Sequence, residues 1–540
     1  MRAALRAVAH LAAEVPLGVV VALQISRGWL PTSDDAVIAW RTWSVLSGPV
    51  PLDGQFTQIS AASGRAAFDL GPLQYYLLAV PERIDPLHGV LWGSALLAAA
   101  LVALAIEAAW SVAGPFAAAA VAAGAAVMTA TLAESTVNLA WNPSVGVYAL
   151  GAALVTAAAA GSGRLGWLPV SVGAASLAVQ CHVAYAAPAA GALAAGTLLG
   201  LVNCERSRHR LRPVLAALAV GAACFAAPLV QELTGRPGNW SVLATSLGRH
   251  GHSVGFELGL RGLAAATHLP PSWAHRVPVT GTSILVRRLL DDVYGGSVAW
   301  AVTALAACAV IAIAATITRH RLLAAMAAIS LLSGLAAAWT LGSVPLSQAG
   351  YLAYYLYFVL WPVGMLVLAT LACGTGLILK QLGGRALGSA PRHARAGGRA
   401  ATAGIAAATV ALAAGGIALG ATDTAYGSSG LFLLGWQPVR LVAEAAPRAL
   451  ALAEAHGLGA SASGGRTLTV VTTGDYPVIT DAVSQGVAYL LATHGLPARL
   501  GGSALRPLGA GYGALRGAPA VVVHLSFPGG DPRASVSWRP

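Results

Sequence analysis

Thr32-Ser33-Asp34-Asp35-Ala36-Val37-Ile38-Ala39-Trp40-Arg41 follows directly on a long apolar stretch, residues 9–30. An apolar run of that length covers the roughly 30 Å of a bilayer's hydrocarbon as a single helix. The acidic pair therefore marks where the chain leaves the membrane. The run keeps Glu14 and has no small-residue cleavage site ahead of Asp34, so the expectation is an anchor rather than a removed leader.

The same length criterion places further spans at 88–110, 114–132, 143–160, 167–184, 186–202, 213–231, 298–318, 322–341, 351–379 and 401–421, about eleven in all. Composition agrees. With 57% hydrophobic residues, 10% charged residues and a mean hydropathy of +0.70, the chain has far more apolar surface than a soluble core needs. Arg2 and Arg6, Arg164, the run Arg206 to Arg212, Arg319 and Arg321, and Lys380 through Arg399 fall in alternate loops. Lys and Arg gather on the cytoplasmic side, so the expected N-terminus is cytoplasmic and the C-terminus lies outside a bacterial plasma membrane crossed many times.

The net charge of +12 thus follows from topology, and without a basic soluble region carrying interleaved aromatics no nucleic-acid partner is expected. All five cysteines sit in or beside spans, which argues against disulfides and cysteine-based zinc sites. Abundant Ala, Gly and Arg with a single lysine, Lys380, match the codon bias of a GC-rich bacterium.

The expected architecture is an α-helical polytopic membrane domain over 1–421, with outward loops 31–87 and 232–297, followed by a small extracytoplasmic α/β domain over 422–540. In the first loop, Gly71-Pro72-Leu73-Gln74-Tyr75-Tyr76-Leu77-Leu78-Ala79-Val80-Pro81 is apolar but too short to span, and reads as an interfacial or re-entrant helix. In the tail, Thr467–Thr473 and Ala520–Leu525 are strand-like and Thr480–His494 is helical. No internal repeat, Walker A loop or dinucleotide fingerprint is present, which disfavours a nucleotide-driven machine.

Chemistry-bearing residues crowd the outward side. A carboxylate there can serve as general base towards an acceptor hydroxyl. Asp34 is the candidate base, with Asp35 and Glu134 supporting it, although Ser33 or Asp34 also suits a helix N-cap and Glu134 could cap a following helix. Asp69 could join this cluster or cap the segment after it. Arg41, Arg65 and Arg83 stand outside without a topological reason, and a lipid phosphate would supply one. Arg249 and His250 are similarly placed. Asp35, Glu134, His250 and His252 are the candidate ligands if a divalent cation (Ca, Mg or Mn) is used. Tyr75, Asn142, His182 and Tyr354 are candidate donor or acceptor contacts; an aromatic belt also explains Tyr351, Tyr354, Tyr355, Tyr357 and Trp361. Asn239-Trp240-Ser241 matches a glycosylation sequon that a bacterial origin would leave idle.

On these residues the chain resembles the GT-C superfamily of polytopic glycosyltransferases, and within it actinobacterial members related to the protein mannosyltransferase and aminoarabinose transferase group. The resemblance covers roughly residues 8 to 380. It is carried by Asp34-Asp35 after the first span, Gly71-Pro72-Leu73-Gln74-Tyr75-Tyr76-Leu77-Leu78, Glu134 ending the third span, Trp141-Asn142-Pro143 opening the fourth, and Gln180-Cys181-His182. It departs from the family in having Asp35 where Glu is usual and Asp69-Leu70 where His-Pro often precedes the Gly-Pro. The resemblance implies a transferase that takes a sugar from a polyprenyl phosphate in the lipid bilayer and passes it to an envelope glycan, lipid or protein, with Asp34 as base, Arg65 and Arg83 on the donor phosphate and the tail guiding the acceptor. The rival readings are a transporter or lipid flippase, which should place ionisable groups near mid-membrane, and a non-catalytic envelope assembly protein.

Overall fold

The computed structural model describes residues 2–57, 65–134, 139–205, 210–247, 252–274, 291–346, 351–386, 437–458, 467–474 and 477–496, and shorter pieces of the remaining C-terminal segment to 540. The chain begins with α1 (Arg2–Ser26), α2 (Asp34–Ser47) and α3 (Leu73–Ile84). The long helices follow: α4 (Gly89–Ala113), α5 (Pro115–Glu134), α6 (Asn142–Gly161), α7 (Leu168–Cys181), α8 (Ala186–Asn203) and α9 (Leu211–Thr234). After the short α10 (Asn239–Leu247) and α11 (Phe256–Thr267), α12 (Val298–Ile317), α13 (Arg321–Gly342) and α14 (Leu360–Ala386) complete the bundle.

Among the described residues nine helices are long and apolar enough to cross a membrane, and Leu165–Cys181 forms a shorter apolar helical run. This makes the protein a largely α-helical polytopic membrane protein. The span expected at 167–184 stops early because His182 takes an extended conformation, breaking α7 from the short 3-10 turn that opens α8. The stretch 401–421 lies outside the described residues.

The bundle is held by close backbone approach. α6 is almost wholly buried, and Gly196 and Gly200 of α8 pack directly on it: a Cβ at either would stand 2.7 Å from the carbonyl oxygen of Ala157 or Ala160. Small residues one turn apart let two helices meet without side chains between them. Proline at the start of α6 and α7 suits a position where no intrahelical N–H bond is lost.

Polar contacts sort the loops into two sets, one at each end of the bundle. At one end Arg6 and His10 meet Glu107, Trp167 Nε1–H donates to Ser111 at 3.1 Å, and Arg321 meets Glu205 at 2.9 Å. At the other end, residues 29–57 and 65–88 gather with Trp141, Asn142, Val183, Asn239 and Tyr355. α3 lies at this second end as a two-faced helix. Gln74, Tyr75, Leu78, Ala79 and Glu82 are buried, while Leu77, Val80 and Ile84 are exposed, the pattern of a helix lying in a membrane interface.

The tail contributes α15 (Gln437–Ala455), β1 (Leu468–Thr473), α16 (Pro477–Thr493), β2 (Ala498–Leu500), β3 (Ala520–Ser526) and β4 (Arg533–Arg539). The sheet runs β2-β1-β3-β4, with β1 parallel to β2 and β3 and antiparallel pairing only at β4. The strands and helix read from the sequence occur here, joined by α15 and β4. The composition change near 422 falls outside the described residues. This small open sheet domain docks through α16 on the loop holding α2 and α3: a Cβ at Gly486 would stand 3.0 Å from the Pro31 carbonyl oxygen, and Tyr489 Oη bonds the Pro86 carbonyl oxygen at 2.6 Å.

Candidate functional site

The chain leaves α1 through Gly28, buries Trp29, and turns into α2 at Ser33, whose φ of 52° is uncommon for a residue with a side chain. Ser33 makes no side-chain cap bond, so this turn is held by its surroundings. It sets Asp34 at the first position of α2, with a partly exposed edge. Trp141 Nε1–H donates to Asp34 Oδ2 at 3.0 Å, and Gln55 Nε2–H donates to Oδ1 at 3.4 Å. Gln55 in turn accepts the Tyr75 hydroxyl at 3.1 Å. Burial raises the Asp34 pKa to about 6, while the bonds from Trp141 and Gln55 pull it down. Asp35, one residue on, is fully buried.

Asp69 is a second buried carboxyl at the same end. Its Oδ1 accepts the Val183 N–H at 3.1 Å and its Oδ2 accepts Asn142 Nδ2–H at 3.3 Å. Asn142 also donates to the Cys181 carbonyl at 2.6 Å, so Asp69 and Asn142 together tie the first loop to the starts of α6 and α8. Burial pushes the Asp69 carboxyl well above the usual carboxylate range, and the Asp34 charge pushes the same way against the Val183 bond. His182 lies beside this junction. Its Nδ1 accepts the Ala184 N–H at 3.1 Å, and its ring meets Tyr355 edge-on at 5.3 Å. Tyr355 meets Trp141 in the same way at 5.3 Å, giving a run of rings from His182 to the donor that holds Asp34.

The loop backbone that carries these acids is braced from several sides. Residues 54–57 and 67–69 form a short antiparallel ribbon, with bonds from Gly54 N–H to the Asp69 carbonyl at 3.0 Å and from Asp69 N–H to the Gln55 carbonyl at 2.7 Å. Asn239 at the start of α10 adds to its edge, accepting the Phe68 N–H at 2.9 Å and donating to the Phe68 carbonyl at 2.9 Å. This buried pairing use of Asn239 is not visible in a sequon. Gly71 is required by packing: its Cβ would stand 2.3 Å from Gln180 Oε1, the atom that accepts the Leu73 N–H at 3.1 Å.

The arginines are placed differently from one another. Arg41 is buried between the rings of Phe68 and Tyr75, donates to the Gly54 carbonyl at 2.7 Å and pairs with Asp53, which makes it a brace of the ribbon. Arg83 is exposed at the far end of α3, its guanidinium 4.2 Å above the Trp43 ring and so beside the last turn of α2, away from Asp34. Arg65 is exposed next to the ribbon.

Glu134 closes α5, its side chain outside the described set, as is that of Tyr354. Arg249 and His250 lie outside the described residues. His252 is exposed, where its carbonyl accepts the Leu346 N–H at 3.0 Å. Among the described residues no group of three or more His, Cys, Asp or Glu could hold a metal ion. The structure therefore brings Asp34, Asp69, Tyr75, Asn142 and His182 together, with Arg41 bound to Asp53 and Gly54 and Arg83 stacked on Trp43. Sequence reading passed over Gln55 and Glu82 and took Asn239 only as an idle sequon; the partners of Asn239 and Glu82 are remote in the chain.

No family model matches the chain, and no curated protein sequence matches it. Among solved structures the chain is similar to ArnT from Cupriavidus metallidurans bound to undecaprenyl phosphate, at 14% identity over 97% of this chain and 92% of that one, with a TM-score of 0.46. It is also similar to the apo state of the same protein, at 16% identity over 95% of this chain and 92% of that one, with a TM-score of 0.43.

Proposed function

We propose that the protein is a membrane glycosyltransferase of the GT-C type, moving a sugar from a polyprenyl-phosphate donor to a hydroxyl of an envelope glycan, lipid or protein. The positive-inside rule assigns the Arg-rich end of the bundle to the cytoplasm and the Asp34 end, with the docked tail, to the outer face of the plasma membrane. The observation that carries the reading is Asp34 itself. Its carboxylate lies at the membrane-proximal end of an outward loop, is held by two neutral donors, and is lifted by burial to about 6. A base with a pKa near the working pH is both deprotonated and basic enough to take a hydroxyl proton.

In the proposed reaction Asp34 accepts the acceptor's hydroxyl proton. The oxygen attacks the anomeric carbon, the bond from that carbon to the phosphate oxygen breaks, and polyprenyl phosphate leaves with the bonding electrons. Arg65, exposed beside the 54–57 and 67–69 ribbon, is the proposed partner for the leaving phosphate's charge. Arg83 is proposed to meet headgroup phosphate at the interface where α3 lies. Asp69 and Asn142 position the loop against α6 and α8. Asp35, Glu134 and a divalent cation stay part of the proposal as supports of the base.

Purified protein in lipid, supplied with radiolabelled polyprenyl-phosphate sugars and envelope extract, should transfer label, and a well-folded Asp34→Asn variant should not. Passage of a fluorescent lipid across the bilayer without any sugar transfer would replace this reading with a flippase.

A further inference from the structure

Glu82 is the most deeply buried acid of the first loop after Asp35 and has no part in the chemistry proposed above. It lies on the last turn of α3, fully buried, with Gly89 packed so tightly beneath it that a Cβ there would stand 2.5 Å from the Glu82 Cα. Its carboxyl bonds the hydroxyl of Tyr489, a fully buried residue of α16 in the tail. The same hydroxyl donates to the Pro86 carbonyl at 2.6 Å.

A phenol has one proton, and here it faces two oxygens. Both contacts are satisfied if a protonated Glu82 donates to Tyr489 Oη and the phenol donates onward to Pro86. One turn earlier on α16, Gly486 rests against the Pro31 carbonyl, three residues before Asp34. The tail thus grips the first loop at two points, the end of α3 and the approach to α2.

We propose that Tyr489 is a positioning residue, a neutral hydrogen-bonded clamp through Glu82 and Pro86 by which the C-terminal domain fixes α2 and α3, and so Asp34, relative to Trp141 and Asn142 at the start of α6. The clamp rests on the transferase reading only for its effect on activity, and its effect on the loop is measured without any substrate.

Burial fits the neutral form, lifting Glu82 to about 8 against an ordinary 4.5, with bonds from Tyr489 and Val90 opposing and the nearby Asp85 charge adding to the rise. Of the other charged groups on the surrounding elements, His88 is bound to Asp85 at 3.3 Å, Arg83 is turned onto Trp43, Arg41 onto Asp53, and Asp481 of α16 accepts from Ser503 at 2.8 Å. The clamped state holds a proton that a released, solvated Glu82 gives up between 4.5 and 8. The clamp is therefore strongest at low pH, loosens as pH rises through that window, and changes no further above it.

Hydrogen exchange of the full-length protein in lipid nanodiscs tests this. At pH 6, Tyr489→Phe should speed exchange of the amides of residues 73–84 and 29–38 by about tenfold, the size expected when a buried hydrogen bond is lost. Glu82→Gln, which keeps a donor for the phenol, should exchange like the wild type below pH 4.5 and lose the wild type's loosening as pH rises to 8. Gly486→Ala, which sets a methyl 2.7 Å from the Val442 side chain of α15 and 3.0 Å from the Pro31 carbonyl, should speed exchange in 29–38 as well as in the tail and gives a second reading if Tyr489→Phe does not fold. In transfer assays Tyr489→Phe should lower kcat and leave KM for the lipid donor unchanged. If either variant changes exchange only within the tail, and residues 29–38 and 73–84 stay as in the wild type, the clamp is wrong. If exchange responds as stated while no variant or wild type transfers sugar, the clamp stands and the transferase reading falls.

Discussion

At the scale of single residues, the proposed chemistry depends on how Asp34 is held. An ordinary aspartate titrates near 3.8, whereas burial raises this one to about 6, so the deprotonated carboxylate that the proposed reaction needs is lost as pH falls through 6. The pH profile of transfer should show an acid limb near 6. Trp141 opposes the rise by donating to the carboxylate, so Trp141→Phe should move that limb to higher pH while leaving the rate on the alkaline side within a few-fold. An unmoved limb would mean that another group titrates. Asp34→Asn cannot accept a proton and should lower transfer by about 10²- to 10⁴-fold, the usual worth of a general base. Thermal unfolding, which should be little changed, separates this loss from misfolding.

Among the elements, the site is a junction of one loop with the ends of α6, α7 and α10, and Gly71 is the tightest point in it. Gly71→Ala would drive a methyl into Gln180 and Pro228, which stand 2.3 and 2.5 Å from the new Cβ. The expected cost is about 1–3 kcal/mol, seen as a lower Tm in detergent, with transfer falling because the Leu73 N–H loses its place on Gln180. An unchanged Tm would show that α3 is not seated as described. The sequence already showed the long helices through length and hydropathy, the stretch 71–81 as apolar but too short to span, and the acids that outward loops present. These are local signals, legible because each lies within one turn or one span. The bonds of Trp141 to Asp34, Asn239 to Phe68 and Tyr489 to Glu82 join residues 107, 171 and 407 positions apart. Nothing in local pattern marks such pairs. Glu82 gave one faint sign, an acid in the last turn of a mostly apolar helix, where it faces the negative end of the dipole.

Over the whole molecule, the two sets of loops and the docked tail impose a parity. Eight long helices follow α1, and with the shorter run Leu165–Cys181 they give an odd number of crossings between the Asp34 loop and the tail. Yet Tyr489 touches Pro86, so both lie on one side and the number must be even. This predicts one more crossing, for which the apolar stretch 401–421 is the sequence's candidate. A cysteine placed at Ser503 should react with a membrane-impermeant maleimide on intact cells, while one at Arg164 should react only after lysis. Labelling of both, or the reverse order, would break the topology and with it the outward site. The measurement that bears most directly on the proposed chemistry is transfer of radiolabelled sugar from polyprenyl phosphate to envelope extract by the purified protein in lipid, compared with Asp34→Asn. Label should move with the wild type and stay on the donor with the variant. Equal transfer by both, with both equally folded, would mean that Asp34 is not the base.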